Sequence, residues 1–263
     1  MSFSIVSYNV LAACHILPDR YPESPPDTLA SRLRYGRIGD QIFLMDADLV
    51  CLQEVDAECF ALLSQRLGSF GYEGFHDLRS HSTREGCGFF AKSGALSLHG
   101  RSRCDLEDPS GTADASHRFA QVLDLEVAGH RFLIANTHLQ WDRPDRPASV
   151  HRGVGQARQL VEAIDRMVGE EGDAIVCGDF NARPDSDVCR VFFEAGYLAA
   201  RPVGAEQPTC RANGRLSEVD YVLCRGFPSA LPWSRIRLHA TSPMPGPDHP
   251  SDHIPVGASL DAD

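Results

Sequence analysis

The chain has 263 residues, of which 43% are hydrophobic and 23% are charged, and its formal net charge is −11. This composition excludes a disordered, collagen-like or coiled-coil protein, and the length is sufficient for one large buried core. The 36 acidic residues against 25 basic ones disfavour a protein that holds long duplex DNA through many phosphates. The sequence also contains no apolar run of the roughly 18 residues that a membrane-spanning helix requires.

Short β-rich runs alternate along the chain with amphipathic stretches, which is typical of an α/β domain. The predicted strands are, in chain order, 2–7, 48–53, 86–91, 119–126, 130–136, 173–177, 219–224 and 254–260. The predicted helices are 28–45 with Asp27 as N-cap, 57–67 ending at Gly68, 150–168 and 188–195. Acidic and proline-rich loops are expected at 105–116 and 242–250, the first of them mobile. Because no linker or repeat is evident, we expect a single domain spanning residues 1–263.

The cysteines and the opening segment bear on the cellular compartment. Nine cysteines are present without a C-x-x-C pair, several of them inside apolar runs, and the chain has no N-x-[ST] acceptor. The opening MSFSIVSYNVLAACH has no basic region and is typical of a strand rather than a signal peptide. These features predict a reducing compartment, the cytoplasm.

Polar side chains follow or close most of the predicted strands, where an unpaired polar group would destabilise the fold. They are Asn9, Glu54, His138, Asp179, Asn181, Asp220, Asp252 and His253. Ligands of open α/β sheets gather beyond the strand ends, so these residues are expected to converge on one pocket. Each residue alone has an ordinary structural explanation, such as a helix cap, a turn or a hydrogen-bonded core histidine.

The chemistry of this set indicates a metal-assisted hydrolase. Carboxylates are hard oxygen ligands that suit Mg²⁺ or Mn²⁺ rather than zinc. Four carboxylates cannot all ionise close together without a cation, so the set itself predicts a metal. Histidines can donate to a phosphate or carry protons near neutral pH. The reaction that this combination suits is attack of water on a phosphate ester.

Six sequence blocks carry a family resemblance: SYNVLA, CLQEV, NTHL, GDFNARPDS, DYVL and SDHIPV, spanning Ser7 to Val256. In this order they resemble the endonuclease/exonuclease/phosphatase superfamily. The resemblance implies a four-layer α/β sandwich, in which two mixed β-sheets pack face to face and are flanked by helices. YNVLA, EGCGFF and HLQWD further resemble the branch of deadenylases, nocturnin, Angel proteins and 2′-phosphodiesterases. The match departs from that branch at Gly88, where alanine is usual, and in lacking leucine-rich repeats.

The resemblance also implies which residues bind the metal. Glu54 would be the main Mg²⁺ ligand, with Asn9 and Asp252 supporting the metal region. Mn²⁺ is an alternative ion, and one or two ions are compatible with the set.

The catalytic roles are likewise implied by the resemblance. Asp179 would orient or deprotonate the attacking water, and Asn181 and His138 would hold phosphate oxygens as negative charge develops. His253 would contact the scissile phosphate, with Asp220 hydrogen-bonded to it and favouring its charged form. The sequence leaves open whether Asp179 or His253 is the base, because coupled groups titrate as a set.

Three residues are candidates for substrate binding. Trp141 and Arg143, just after His138, could stack on or clamp a nucleotide, although a tryptophan there could equally be a packed surface residue. Arg34, on the first predicted helix, is a candidate phosphate contact by the resemblance.

The expected activity is Mg²⁺-dependent hydrolysis of phosphodiesters in short single-stranded RNA or small nucleotides. One alternative is a phosphatase acting on a phosphorylated metabolite or an inositol or lipid headgroup. A second alternative is a catalytically inactive binding module, against which the intact set of polar residues argues. The sequence does not indicate an oligomeric state.

Overall fold

The computed structural model describes residues 2–80, 82–109, 116–200, 207–212, 214–228, 230–233, 236, 238 and 243–261. Part of the predicted mobile loop, 110–115, and the first residue of the loop predicted at 242–250 lie outside these ranges.

The elements of the described residues alternate much as the sequence pattern predicts. The strands are β1 (Ser2–Asn9), β2 (Leu49–Asp56), β3 (Tyr72–Leu78), β4 (Glu85–Lys92), β5 (Ser97–Leu106), β6 (Arg118–Val127), β7 (His130–His138), β8 (Ala174–Asp179), β9 (Leu198–Ala199), β10 (Cys210–Ala212), β11 (Arg215–Ser217), β12 (Asp220–Arg225), β13 (Ala230–Trp233) and β14 (Val256–Asp261). The α-helices are α1 (Pro26–Leu29), α2 (Ser31–Met45), α3 (Ala57–Gly68), α4 (Arg152–Val168) and α5 (Asp187–Glu194). Short 3₁₀ turns cover Ala13–His15 and Pro18–Arg20.

The strands form two six-stranded sheets and a small hairpin, β10–β11. The first sheet has the order β13-β14-β1-β2-β4-β3, and the second has the order β5-β6-β7-β8-β12-β9. A parallel pair lies at the centre of each sheet, β1 with β2 and β7 with β8, and the other neighbours are antiparallel. Both sheets are therefore mixed, as predicted.

Three apolar clusters give the molecule four layers. Between the sheets, side chains such as Ile5 and Leu49 of the first sheet pack with Ile134 and Ile175 of the second. On the outer face of the first sheet, residues of β1 and β2 pack against α2 and α3. On the outer face of the second sheet, residues of β7 and β8 pack against α4 and α5. The helix–sheet–sheet–helix order confirms the predicted four-layer sandwich.

The topology brings the predicted polar residues to one edge of the sandwich. Asn9 is the last residue of β1, and His138 and Asp179 are the last residues of β7 and β8, in register with each other. β12 runs antiparallel to β8 and begins at Asp220, directly opposite Asp179. β14 begins opposite Ser7 of β1, so the segment before it, at 252–253, reaches the same edge.

Two local predictions differ from the structure. The helix predicted at 28–45 is divided into α1 and α2 by Ala30, whose ψ of 117° is extended. Asp27 lies inside α1, which begins at Pro26, so the prediction that it is the N-cap is wrong; proline suits the first turn because it needs no backbone donor there. Gly68 is the last residue of α3 rather than the residue after it.

The sequence pattern also missed strands at the sheet edges. β3 lies at one edge of the first sheet and β5 at one edge of the second. Only Tyr72 of β3 and Leu106 of β5 are buried. An edge strand with little buried surface has no clear alternation of apolar residues. By contrast, the tight turn predicted between β6 and β7 is present, because Ala128 and Gly129 both have the positive φ that a two-residue hairpin turn requires.

The helices of the described residues include none that is long and apolar enough to cross a membrane.

Replacing a leucine between the sheets should destabilise the fold far more than replacing an exposed one. Leu49 is fully buried in the inter-sheet cluster, whereas Leu44 on α2 is 69% exposed. Leu49→Ala should lower the free energy of unfolding in urea by about 2–5 kcal/mol, because it leaves a cavity. Leu44→Ala should change it by less than about 0.5 kcal/mol. Equal effects of the two substitutions would contradict this assignment of the core.

Candidate active site

One amide links the two sheets at the candidate site. Asn9 is fully buried at the end of β1. Its Nδ2 donates to Oε1 of Glu54 at 3.0 Å and to Oδ2 of Asp179 at 3.0 Å. Its Oδ1 accepts from the backbone N–H of Leu11 at 3.0 Å, which fixes the orientation of the amide. Both amide protons are therefore used to hold two carboxylates that come from different sheets.

Glu54 lies at an irregularity of β2. The pairing register of β2 with β4 shifts between Gln53 and Val55, and Glu54 has a left-handed φ of 55°. Oε2 of Glu54 accepts from the backbone N–H of Ala12 at 3.1 Å. A non-glycine residue in this conformation is strained, and such strain is concentrated at functional sites. The bulge turns Glu54 toward the residues that follow β1.

A second group of contacts lies at the ends of β7 and β8. Oδ1 of Asp179 accepts from the backbone N–H of Asn181 at 2.8 Å. Nδ2 of Asn181 donates to the carbonyl of Leu139 at 3.0 Å and lies 2.9 Å from Nε2 of His138, which therefore accepts. Burial, followed by the positive charges of Arg118 and His253, lowers the pKa of His138 well below its usual value. His138 is thus neutral in this arrangement.

His253 is held between two carboxylates. Its Nδ1 donates to Asp220, 2.9 Å from Oδ2, and its Nε2 lies 3.7 Å from Oδ2 of Asp179. Burial alone would lower the pKa of His253, but Asp220 and Asp179 raise it well above its usual value. Burial raises the pKa of Asp179 to about 7, although the charge of His253 opposes this. The two groups are consequently a charged imidazolium beside a carboxylate that can accept a proton near neutral pH.

Asp252 offers an uncommitted oxygen at the same edge. Its Oδ2 accepts from the hydroxyl of Tyr21 at 3.0 Å. Its Oδ1 is buried and has no hydrogen-bond partner within the described part of the chain. Burial, the largest effect, raises the pKa of Asp252, and the nearby Glu54 raises it further. A buried carboxylate oxygen without a donor, close to a second carboxylate, is suited to a cation.

The residues therefore fit a hard metal ion. Ligating atoms of Asp179, Asp220 and His253 lie within 4.8 Å of one another. Asp220 and His253 are hydrogen-bonded directly to each other, which leaves Asp179 as the carboxylate of this group that lies outside that pair. Glu54, whose oxygens each accept one hydrogen bond, and Asp252, whose Oδ1 accepts none, also have lone pairs for a cation. Carboxylate and amide oxygens are what Mg²⁺ and Mn²⁺ prefer.

Arg34 does not lie where the sequence analysis expected it. It is fully buried, and its Nη1 donates to the carbonyls of Val10 at 3.1 Å and Pro250 at 2.8 Å. Its Nη2 donates to the carbonyl of Leu11 at 2.5 Å. Both terminal nitrogens are occupied by main-chain carbonyls, so the expected phosphate contact is wrong. Arg34 instead ties the segment after β1 to the segment before His253.

Trp141 and Arg143 lie at the rim, on the loop that follows His138. The Trp141 side chain is 56% exposed, and the Arg143 side chain is exposed and paired with Asp145. Asp142 between them is buried and accepts from Nη1 of Arg146 at 2.9 Å, which holds the loop. The described hydrogen bonds do not join Trp141 or Arg143 to the catalytic set.

The structure adds charged residues beside Glu54 that the sequence analysis did not single out. Glu85 is buried, and its Oε1 lies 3.1 Å from Nη2 of Arg79 and 3.8 Å from Nε2 of His15. The same His15 atom lies 3.9 Å from Oε2 of Glu54. Glu85 is the first residue of the EGCGFF block that carries the family resemblance. Its place in that block was the sequence signal that could have identified it as a site residue.

Arg118, the first residue of β6, is a second addition. Burial lowers its pKa, while the negative charges of Glu85, Glu54 and Asp179 oppose that change. Its Nε donates to Oε1 of Gln140 at 3.2 Å, the only hydrogen bond of its guanidinium within the described ranges. Nothing in the local sequence distinguishes Arg118 from a surface arginine.

The comparisons with known proteins agree with this geometry. The sequence profile of the Endonuclease/Exonuclease/phosphatase family matches residues 6–253. The chain belongs to this family. Its members are phosphoesterases and nucleases, so the chain is an enzyme that hydrolyses phosphate esters.

Relatives come from the branch that the sequence blocks indicated. Carbon catabolite repressor protein 4 homolog 4 of Arabidopsis thaliana is 25% identical over 328 residues, covering 98% of this chain and 77% of that protein. Nocturnin of Rattus norvegicus is 26% identical, covering 95% of this chain. The chain spans 63% of the length of that nocturnin.

Solved structures share the fold. ANGEL2, a 2′,3′-cyclic phosphatase, in complex with adenosine-2′,3′-vanadate, has a TM-score of 0.81 at 20% identity, covering 98% of this chain and 95% of its own. The human nocturnin catalytic domain with bound sulfate has a TM-score of 0.75 at 22% identity, covering 100% of this chain and 94% of its own.

Replacing Arg34 should destabilise the protein, since it joins two loops rather than binding substrate. Arg34→Met leaves three buried carbonyls without their donor, and each such group costs about 1–3 kcal/mol. The free energy of unfolding in urea should fall by more than about 2 kcal/mol. Arg32→Met, at an exposed position of the same helix, should change it by less than about 0.5 kcal/mol. An Arg34→Met protein of unchanged stability would contradict the conclusion that Arg34 holds these two loops together.

Proposed function

We propose that this enzyme is a Mg²⁺-dependent phosphodiesterase that hydrolyses short single-stranded RNA or small nucleotide phosphodiesters. The observation that carries the proposal is the bridge from Asn9 to both Glu54 and Asp179, beside the Asp220–His253 pair. It places the carboxylate oxygens of Glu54, which can bind a metal, next to Asp179, which can accept a proton, and His253, which can donate one. Water attack on a phosphate ester requires such groups.

Glu54 is proposed as the main metal ligand, with Asp252 and Asn9 supporting the metal region. The support is the chemistry of the ligating oxygens and the buried Oδ1 of Asp252, which accepts no hydrogen bond within the described residues and lies 4.0 Å from Nε2 of His253. When bound, Mg²⁺ polarises a phosphoryl oxygen and offsets negative charge. Mn²⁺ is a possible substitute, and the donor set is compatible with one or two ions.

Asp179 is proposed as the base that accepts the proton of the attacking water. Its carboxylate is oriented by Asn9 and by the backbone N–H of Asn181, and its pKa of about 7 suits proton transfer near neutral pH. His253 is a poor acceptor in this arrangement, because Asp220 holds it in the charged form. The geometry thus favours Asp179 of the two bases that the sequence left open.

The groups proposed to hold the phosphate are His253, Asn181 and His138. The imidazolium of His253 donates to a phosphate oxygen, where it offsets the charge that develops in the transition state. Both amide protons of Asn181 are used in the absence of substrate, by Nε2 of His138 and by the carbonyl of Leu139. Asn181 would therefore exchange its hydrogen bond to His138 for one to the phosphate oxygen. Arg118 adds a half-buried positive charge close to Glu54 and Asp179.

The proposed substrate is short. The net charge of −11 disfavours a long polyanion gripped through many phosphates. Trp141 is exposed at the rim and is proposed to stack on a base, with Arg143 contacting the chain beside it. Support also comes from relatives in yeasts described as 3′-5′-exoribonuclease subunits of the CCR4-Not complex.

A second candidate is a phosphatase acting on a small phosphate ester. It is favoured by the TM-score of 0.81 to ANGEL2, whose solved complex contains adenosine-2′,3′-vanadate. The same catalytic groups would serve a cyclic nucleotide phosphate, a phosphorylated metabolite or an inositol or lipid headgroup.

We further propose that residues 1–263 form one catalytic domain that acts in the cytoplasm. The two sheets share one apolar cluster, which supports a single unit. Free thiols at all nine cysteines, seven of them buried, support a reducing compartment.

The purified protein should shorten a 3′-labelled oligoadenylate in the presence of Mg²⁺, and a chelator should stop the reaction until Mg²⁺ is restored. Glu54→Gln should abolish the activity, because it removes the main proposed ligand charge. Glu58→Gln, an exposed position on the following helix, is the matched control and should retain it. Gel analysis of the labelled products measures both.

The outcomes of that assay separate the candidate functions. An intact oligonucleotide would refute the RNA proposal. Release of inorganic phosphate from a panel of phosphorylated metabolites would favour the phosphatase. Metal binding without hydrolysis of either class would leave the inactive binding module.

Asp179→Asn should lower kcat by about 10²–10⁴-fold, the usual contribution of a general base, with little change in KM. Asn retains the shape of the side chain but cannot accept the proton. Asp185→Asn, on the exposed loop after Asn181, should leave both constants unchanged. Steady-state kinetics on the best substrate measures the effect, and a loss confined to KM would exclude the base role.

A further inference from the structure

The two halves of the candidate site belong to different sheets. Asn9 and Glu54 belong to the first sheet, and His138 and Asp179 belong to the second. Apart from the Asn9–Asp179 contact, their separation depends on how one sheet lies on the other. Most of the inter-sheet core is apolar, and apolar contacts have no preferred direction. The sheets therefore need a directional contact to fix their relative position to within a fraction of an ångström.

A buried polar cluster provides such a contact just below the site. Its members are fully or almost fully buried strand residues from both sheets: Ser7, Gln53, Gln121 and Asn136. Nε2 of Gln53 donates to Oγ of Ser7 at 3.1 Å and to Oδ1 of Asn136 at 2.8 Å. The second of these bonds crosses from β2 in the first sheet to β7 in the second.

Asn136 forms the larger part of this crossing. Its Nδ2 donates to the carbonyl of Leu52 at 3.1 Å and to the carbonyl of Gly88 at 3.0 Å, both in the first sheet, and lies 3.3 Å from Oε1 of Gln121 on β6 of its own sheet. Gln121 adds a second inter-sheet bond, from its Nε2 to Oδ2 of Asp77 on β3 at 2.7 Å. Two carbonyl acceptors on Nδ2 fix which end of the amide is which, so its Oδ1 faces Gln53. One side chain of the second sheet thereby contacts two adjacent strands of the first.

The crossing lies immediately before the catalytic residues on both strands. Leu52 and Gln53 precede Glu54, the residue in the strained bulge of β2. Asn136 precedes His138 by two positions, so the two side chains leave β7 on the same face. A shift of Asn136 against Leu52 would be passed to Glu54 and His138 within one or two residues.

We propose that Asn136, together with Gln53, is a positioning residue that sets the distance between the metal-binding half of the site and the phosphate-binding half. Asn136 acts through Leu52, Gln53 and Gly88 and does not itself contact substrate. This inference rests on the proposed function for its kinetic consequence, but its geometric consequence does not depend on any activity.

The closing experiment compares Asn136→Leu with Ile134→Ala. Leucine has a similar size to asparagine but forms no hydrogen bond. Ile134 lies two positions earlier on β7, faces the same core and is fully buried, so its truncation destabilises the inter-sheet core without removing a directional contact. We expect kcat of Asn136→Leu to fall by about 100-fold, the effect of an ångström-scale misplacement. Ile134→Ala should keep kcat within about twofold at a temperature where both proteins are folded.

The double variant Gln53→Leu/Asn136→Leu separates position from stability. It removes both partners of the Gln53–Asn136 bond and so leaves no unpaired amide at Gln53, although the carbonyls of Leu52 and Gly88 still lack their donor. Its Tm should therefore exceed that of Asn136→Leu without reaching the native value. Its kcat should remain low, because the directional hydrogen bonds between the two sheets are still absent. Recovery of kcat together with Tm would overturn the positioning role and leave only a structural one.

A crystal structure of Asn136→Leu gives the readout that is independent of activity. The distance from Nδ2 of Asn9 to Oδ2 of Asp179, 3.0 Å in the native protein, should lengthen beyond hydrogen-bonding range. An unchanged distance would overturn the inference whether or not the native protein hydrolyses any substrate. A native protein without activity combined with a lengthened distance would instead refute the proposed function alone.

Discussion

The arrangement of the site depends on the division of a single amide between two carboxylates. Asn9 lies at the end of one sheet, and its two protons reach Glu54 on its own sheet and Asp179 on the other. Buried carboxylates repel each other and lose hydration, so they are stable together only with donors or a cation between them. Because the amide of Asn9 is neutral, it donates to both carboxylates without cancelling the negative charge that attracts a metal ion. Arg34 then fixes the segment after β1 through its carbonyls, which keeps the surroundings of Asn9 in place.

The other charged groups of the site shift the pKa values of its titratable residues in different directions. Asp220 accepts from Nδ1 of His253 and keeps that ring positive. Burial, together with the positive charges of Arg118 and His253, lowers the pKa of His138 and keeps it neutral. Burial leaves Asp179 between these extremes, with a pKa of about 7. His253, His138 and Asp179 are thus given separate protonation states by their neighbours and by burial. The difference between acid, base and hydrogen-bond acceptor is set by position and not by residue type.

Local patterns predicted the α/β alternation and the polar residues at the strand ends, and the family resemblance of the six blocks added the four-layer sandwich. Central strands such as β1 and β8 are apolar and end in a polar residue, and the topology of parallel pairs brings those ends together. The contacts of Arg34 could not be predicted, because its partners Val10, Leu11 and Pro250 are distant in sequence and accept only through main-chain carbonyls. Gln53 and Asn136 were likewise unremarked: a polar residue inside a strand has meaning only when the partner across the core is known. The edge strands β3 and β5 have too little buried surface to give a pattern.

The pairing of the first strand with the last has a consequence for synthesis of the protein. β1 lies between β2 and β14, and Ser251 donates to the carbonyl of Asn9 at 2.7 Å. The segment at 251–253 is thus joined to the start of the chain by contacts that span almost the whole sequence, and non-local contacts of this kind slow folding. A nascent chain on the ribosome holds Asn9 and Glu54 long before it holds His253. A partly synthesised or truncated chain that lacks the segment at 252–253 should therefore be hydrolytically inactive, although its Asn9 and Glu54 are already present.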